Sequence, residues 1–257
     1  QRQMCIRDRG DVMKKYLAIV LLALAPAWVL AAGGGVHLDK ANIDPTNKQS
    51  LQRGARIFVN YCLSCHSASL MRYERMGNDL GIDEKLVSEN LMFTGGKVGE
   101  LMTVATAADD AKEWFGTVPP DLSVIARARG VDWLYTYMRS FYRDDSRHIG
   151  TNNLVFPDVG MPNVLWELQG IQKTALTTVK DHDGTEHKVV KLELAEPGLQ
   201  SPKEFDRTVR DLVNFLDYMG EPAKYERRQL GTKVILFLVM FLVLAYLLKR
   251  DYWKDIH

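Results

Sequence analysis

Apolar positions recur at helical spacing in two regions far apart in the chain. Leu51, Ala55, Phe58 and Val59 predict a helix that starts at Asn47 or Ser50 and runs to residue 61. Val209, Leu212, Val213 and Leu216 fall at i, i+3, i+4 and i+7, which predicts a helix over about 201–219, stopped by Gly220 and Pro222. A further helix is expected over 133–142. Residues 174–180 and 187–194 alternate instead around Asp183-Gly184, the pattern of a small β-hairpin. The rest is punctuated by Gly and Pro and reads as long loops. A middle so poor in regular structure needs something large and rigid at its centre.

Two further runs are apolar on every face. Residues 16–30 follow Met13, Lys14 and Lys15, contain Pro26, and lead into Ala31-Ala32 and three glycines. That is the layout of an export signal over 13–32, and the run is short for a membrane span of about 20 residues. Residues 1–12 precede it and are set apart as non-native or upstream. The second run, 234–248, carries no charge and is flanked by Lys233, Lys249 and Arg250, with Tyr252 and Trp253 as interfacial aromatics. With a snorkelling Lys233, residues 229–250 are long enough to cross a bilayer. The expected plan is a single domain over 33–228, an anchor over 229–250 and a cytoplasmic tail over 251–257, with the export signal placing the body outside.

Charge refines this plan. The 33 basic and 32 acidic residues nearly cancel, which argues against a dedicated nucleic-acid binder. The charges are segregated, however: residues 33–226 hold 28 acidic and 22 basic side chains, a net of −6, and the ends are basic. An acidic body attracts a basic partner.

Three cysteines are too few for a disulfide scaffold. Cys62-Leu63-Ser64-Cys65-His66 instead fits C-x-x-C-H, the attachment signature of c-type haem. Two thiols three positions apart match the two vinyl groups on one porphyrin edge, and the next residue sets an imidazole under the iron. A structural zinc site wants four Cys or His ligands, and no second pair stands at ligand spacing. A thioredoxin-like pair wants a βαβ context that is missing here. Met161, between Gly160 and Pro162 in an irregular stretch, is a candidate sixth ligand. Pattern alone leaves the other methionines, His148, His182 and His187 in contention.

Taken in order, the export signal, the Cys62–His66 motif, Pro119-Pro120-Asp121-Leu122-Ser123 with Arg127-Ala128-Arg129, Gly160-Met161-Pro162 and the anchor resemble the cytochrome c1 family across the whole mature chain. The resemblance implies a mainly α, class I cytochrome c-like haem domain plus one C-terminal transmembrane helix. It implies one covalent haem c held by Cys62 and Cys65, with His66 and Met161 as axial ligands and Arg129, then Arg127, as propionate partners. Pro120 lies in a loop that passes the proximal histidine in that family, where a backbone carbonyl could accept the His66 Nδ1–H. The function implied is that of an electron carrier without substrate chemistry of its own, within a quinol–cytochrome c oxidoreductase. Its implied partners are cytochrome b, the Rieske iron–sulfur protein, a soluble cytochrome c and membrane lipid, at a bacterial inner membrane with the haem domain periplasmic.

Overall fold

A computed structural model describes residues 37–93, 96–104, 106–180 and 186–254. The expected export segment, residues 1–12, His182 and the Asp183-Gly184 turn lie outside the described residues. The first helix, α1 (Lys48–Ile57), is capped by the Asn47 side chain, which accepts from the Ser50 N–H. It buries Leu51, Ala55 and Ile57 against the long helix α8 (Pro202–Gly220), whose N-terminus is closed by a Ser201–Glu204 capping box. The two helices touch at Gly54, where an added Cβ would lie 2.1 Å from the Asp211 carbonyl oxygen and 2.6 Å from Phe215 Cβ. Asp211, itself buried, holds this crossing by accepting from Ser50 Oγ at 2.6 Å and from Arg53 Nε at 2.5 Å.

Between α1 and α8 the chain is more regular than its sequence suggests. After β1 (Ala68–Arg72) come α2 (Tyr73–Leu80), α3 (Glu84–Asn90), β2 (Leu101–Met102), α4 (Ala108–Phe115), α5 (Ile125–Arg129) and α6 (Val131–Arg139). Helix α2 ends at Gly81 with φ 70°, a left-handed stop, and Asp83 then caps α3 by accepting from the Lys85 N–H. The helix expected over 133–142 therefore needs correction. It ends at Arg139, and Phe141–Arg143 forms β3, paired antiparallel with β4 (Thr151–Asn153). The cause is tertiary: Gln172 donates to the carbonyls of Arg139 and Phe141, at 2.9 and 2.8 Å, and Ser140 Oγ lies 3.1 Å from Asn153 Oδ1. Helix propensity at 140–142 yields to these partners.

A short helix α7 (Trp166–Gln169) leads into β5 (Gly170–Lys180), which pairs with β6 (Glu186–Pro197) from Gly170↔Pro197 to Lys180↔Glu186. This hairpin is longer than the alternating pattern indicates. The final helix, α9 (Lys224–Tyr252), begins before the expected anchor and is tied to the body where Lys224 Nζ meets both Asp217 carboxylate oxygens, at 2.8 and 2.9 Å. Its Glu226–Tyr252 stretch is long and apolar enough to cross a membrane, and none of its most apolar window is buried by the rest of the described chain. At 1.5 Å per residue its 27 residues span about 40 Å, more than the ~30 Å hydrocarbon core.

Candidate functional site

The motif's geometry starts at the end of α1. Its last turn widens into a π-turn, Phe58–Cys62, in which the Leu63 N–H reaches the Phe58 carbonyl at 3.0 Å. Such single π-turns mark functional sites often. The Cys62 carbonyl then accepts from the N–H groups of Cys65 and His66, at 3.1 and 2.8 Å. This tight turn brings Cys62, Cys65 and His66 to one cavity of about 330 Å³, which Pro120, Arg129, Trp133, Tyr137, Met138 and Met161 also line. Burial, with a smaller effect from Cys65, pushes the Cys62 thiol up to about 12.

His66 Nδ1 lies 2.8 Å from the Pro120 carbonyl oxygen. A carbonyl only accepts, so Nδ1 carries the proton and Nε2 keeps its lone pair. Burial pulls the His66 pKa below the ordinary imidazole value; the Pro120 bond and the Asp121 charge act the other way. The Pro120 loop is pinned to the strand that follows the motif. Asp121 accepts from the N–H groups of Ser69 and Ser123, both at 2.8 Å, the Leu122 N–H reaches the Ser67 carbonyl at 2.8 Å, and Ser123 Oγ accepts from the Leu70 N–H at 3.0 Å. Burial acts to raise the Asp121 pKa, but hydrogen bonds from Ser123 and Ser69 outweigh it and hold the carboxyl below its usual range.

Two adjacent asparagines shape the Met161 loop. Asn153 Oδ1 accepts from the N–H groups of Val155 and Phe156, at 2.9 and 3.2 Å, and Asn152 Oδ1 accepts from Asp158 N–H at 2.9 Å. Arg147 donates to the Asp158 carboxylate and carbonyl, at 2.9 and 3.1 Å, across a residue with φ 60°. Gly160 follows, close enough to the 115–117 segment that a Cβ would lie 3.3 Å from Thr117 Cγ2. Met161 then reaches the cavity, where the Tyr137 hydroxyl donates to its Sδ at 3.4 Å.

The structure separates the two candidate arginines. Arg129 lines the cavity, its Cζ 5.1 Å from the Trp133 ring centroid and 5.8 Å from that of Phe156. Arg127 does not; its side chain lies against Gly220, where an added Cβ would be 3.3 Å from Arg127 Cγ. His148 is exposed and off the cavity, and His187 sits in β6. Two methionines line the cavity, Met138 on α6 and Met161 in its loop. Sequence reasoning missed Tyr137 and Trp133, whose only signal is their i, i+4 placement on one helix face; their rings stack at 4.9 Å and 10°.

Fold, pocket and terminal apolar helix together define a membrane-anchored cytochrome of the c type. Comparison with known proteins narrows this: residues 40–256 match the model of the cytochrome C1 family. The chain is 51% identical over 245 residues to cytochrome c1 of Allochromatium vinosum, covering 95% of this chain and all of that one. It is 50% identical, over 95% of this chain and 99% of the other, to a protein of Nitrosomonas europaea described as an ammonia monooxygenase gamma subunit. It is 29% identical to the mitochondrial cytochrome c1 haem protein of Neurospora crassa, over 80% of this chain and 62% of that one. The chain belongs to the cytochrome c1 family, which makes it a haem c protein and an electron-transfer subunit of a bc1 complex. The residues fit that cofactor: two thiols at attachment spacing, an imidazole whose Nδ1 proton is held by Pro120, two thioethers and one guanidinium share a cavity that, Thr117 apart, is otherwise lined by apolar and aromatic residues.

Proposed function

We propose that this chain receives one electron from a Rieske iron–sulfur protein and passes it to a soluble cytochrome c, and that Cys62 and Cys65 would attach the haem while His66 and Met161 would ligate its iron. The observation that carries this reading is the single cavity shared by the Cys62–His66 turn, with Nδ1 held by Pro120, and the Met161 sulfur. When bound, haem c supplies one-electron exchange at its iron. The chain's residues do the rest. Pro120 fixes the His66 tautomer, so the ring offers a neutral nitrogen whose basicity is raised by the bond on its other side. Met161 offers a soft thioether, and a His/Met pair raises the potential. The apolar wall built by Leu134, Val159, Leu212 and Leu216 excludes water, which disfavours extra charge and acts in the same direction. Arg129 offers a fork suited to a carboxylate at the same cavity.

The anchor holds this domain at the membrane, on the periplasmic side of a bacterial inner membrane in our reading. The net −6 of residues 33–226 favours encounter with a basic carrier. Purification of the full chain from membranes tests the assignment. Co-purification with a cytochrome b and a Rieske protein is expected, with quinol-driven reduction of the chain that stops when the Rieske protein is removed. Co-purification with monooxygenase subunits and no quinol-driven reduction would overturn it.

A further inference from the structure

We infer that Tyr137 is a positioning residue for the Met161 sulfur, and that its hydroxyl would raise the potential by engaging one thioether lone pair and leaving the other for the iron. The inference rests on the His66/Met161 reading above. A thioether sulfur has two lone pairs; one can face a metal while the other accepts a hydrogen bond. The structure supplies that donor, the Tyr137 hydroxyl at 3.4 Å from Sδ. This hydroxyl has no other hydrogen-bond partner among the described residues, and the side chain is nearly fully buried.

The donor is held from several directions. Its ring stacks on Trp133 at 4.9 Å and meets Phe141 edge-on at 5.1 Å. Its backbone carbonyl accepts from Asn153 Nδ2 at 2.8 Å, and Asn153 Oδ1 in turn shapes the Met161 loop through the Val155 and Phe156 N–H groups. One asparagine therefore ties the helix bearing the donor to the loop bearing the acceptor. Arg129 packs over the Trp133 ring, so the guanidinium of α5, Trp133 and Tyr137 of α6 and the sulfur of the Met161 loop form one contiguous series.

The consequence follows from charge. A hydrogen bond to the sulfur withdraws electron density, weakens its donation and disfavours the oxidised iron more than the reduced. Losing it lowers the potential. A weak neutral bond to sulfur is at the low end of the hydrogen-bond range, so the expected change in the reduced-to-oxidised ratio is about threefold. At 59 mV per tenfold for one electron that is about 28 mV.

The test compares the full haem-loaded chain with Tyr137→Phe, which keeps the ring, its stack and its edge contact. The control is Tyr142→Phe, a partly exposed strand residue outside this cavity. Potentiometric titration and the near-infrared methionine-to-iron band are the readouts. The inference expects a lower potential and a shifted but retained band in Tyr137→Phe alone. Unchanged potential and band in Tyr137→Phe, or an equal shift in the control, would overturn it. Absence of the band from the parent protein would instead overturn the Met161 ligation on which it rests.

Discussion

Replacing Asp121 by alanine tests whether the Pro120 loop holds His66 through its clamp. The substitution removes the acceptor of two backbone N–H groups, Ser69 and Ser123, each at 2.8 Å, and leaves the Leu122–Ser67 and Leu70–Ser123 bonds in place. Charge-assisted bonds are worth about 1.5–3 kcal/mol each when sheltered, but this carboxylate is exposed, so about 1 kcal/mol each is appropriate. The sum, about 2 kcal/mol, corresponds to a fall in Tm of roughly 4–8 °C for a domain of this size. A loosened Pro120 carbonyl also makes the His66 nitrogen less basic, and the potential should move with it. Thermal unfolding of the haem-loaded protein by circular dichroism, with potentiometry, reads both. The Asp121 pKa lies below its unfolded value, so its contribution is present above the unfolded pKa of about 4 and lost as pH falls through the folded one. The gap between parent and variant should therefore close on acidification below about pH 4. Equal melting points at neutral pH, or a gap that widens in acid, would refute the clamp.

Other outcomes follow from the same structure. Arg129→Gln should lower the potential by removing the cation that lines the cavity, whereas Arg127→Gln should leave it unchanged and cost at most about 1 kcal/mol of packing against Gly220; equal potential shifts would contradict the separation of these arginines. Gly54→Ala forces a Cβ to within 2.1 Å of the Asp211 carbonyl, so α1 and α8 must part, at a cost of about 3 kcal/mol and a Tm fall of roughly 6–12 °C; an unchanged melt would show that the helices do not meet there. Electron transfer to a basic soluble carrier should slow as ionic strength rises, given the net −6 of residues 33–226; stopped-flow rates independent of salt would remove the electrostatic part of the reading.

Legibility in the sequence tracked how local each determinant is. The Cys62–His66 turn depends on five consecutive residues, and the outer helices on their own apolar stripes, so both were readable. The short helices α2 and α3 carried signals that could have been read, a glycine stop at Gly81 and an Asp83 cap. The end of α6 did not, because Gln172 and Asn153, distant in sequence, satisfy the backbone and side chain that stop it. Likewise, nothing local distinguishes Arg127 from Arg129, and nothing links Tyr137 to Met161; helix phase and loop course decide which side chains meet in the cavity.

The most direct measurement of the central claim is the near-infrared spectrum of the oxidised, haem-loaded full chain beside its Met161→Ala variant. The reading predicts a covalent c-type spectrum in both and a methionine-to-iron band present in the parent and absent from the variant. A band that survives in Met161→Ala would place the sixth ligand elsewhere, and a chain that carries no covalent haem would contradict the assignment of Cys62, Cys65 and His66.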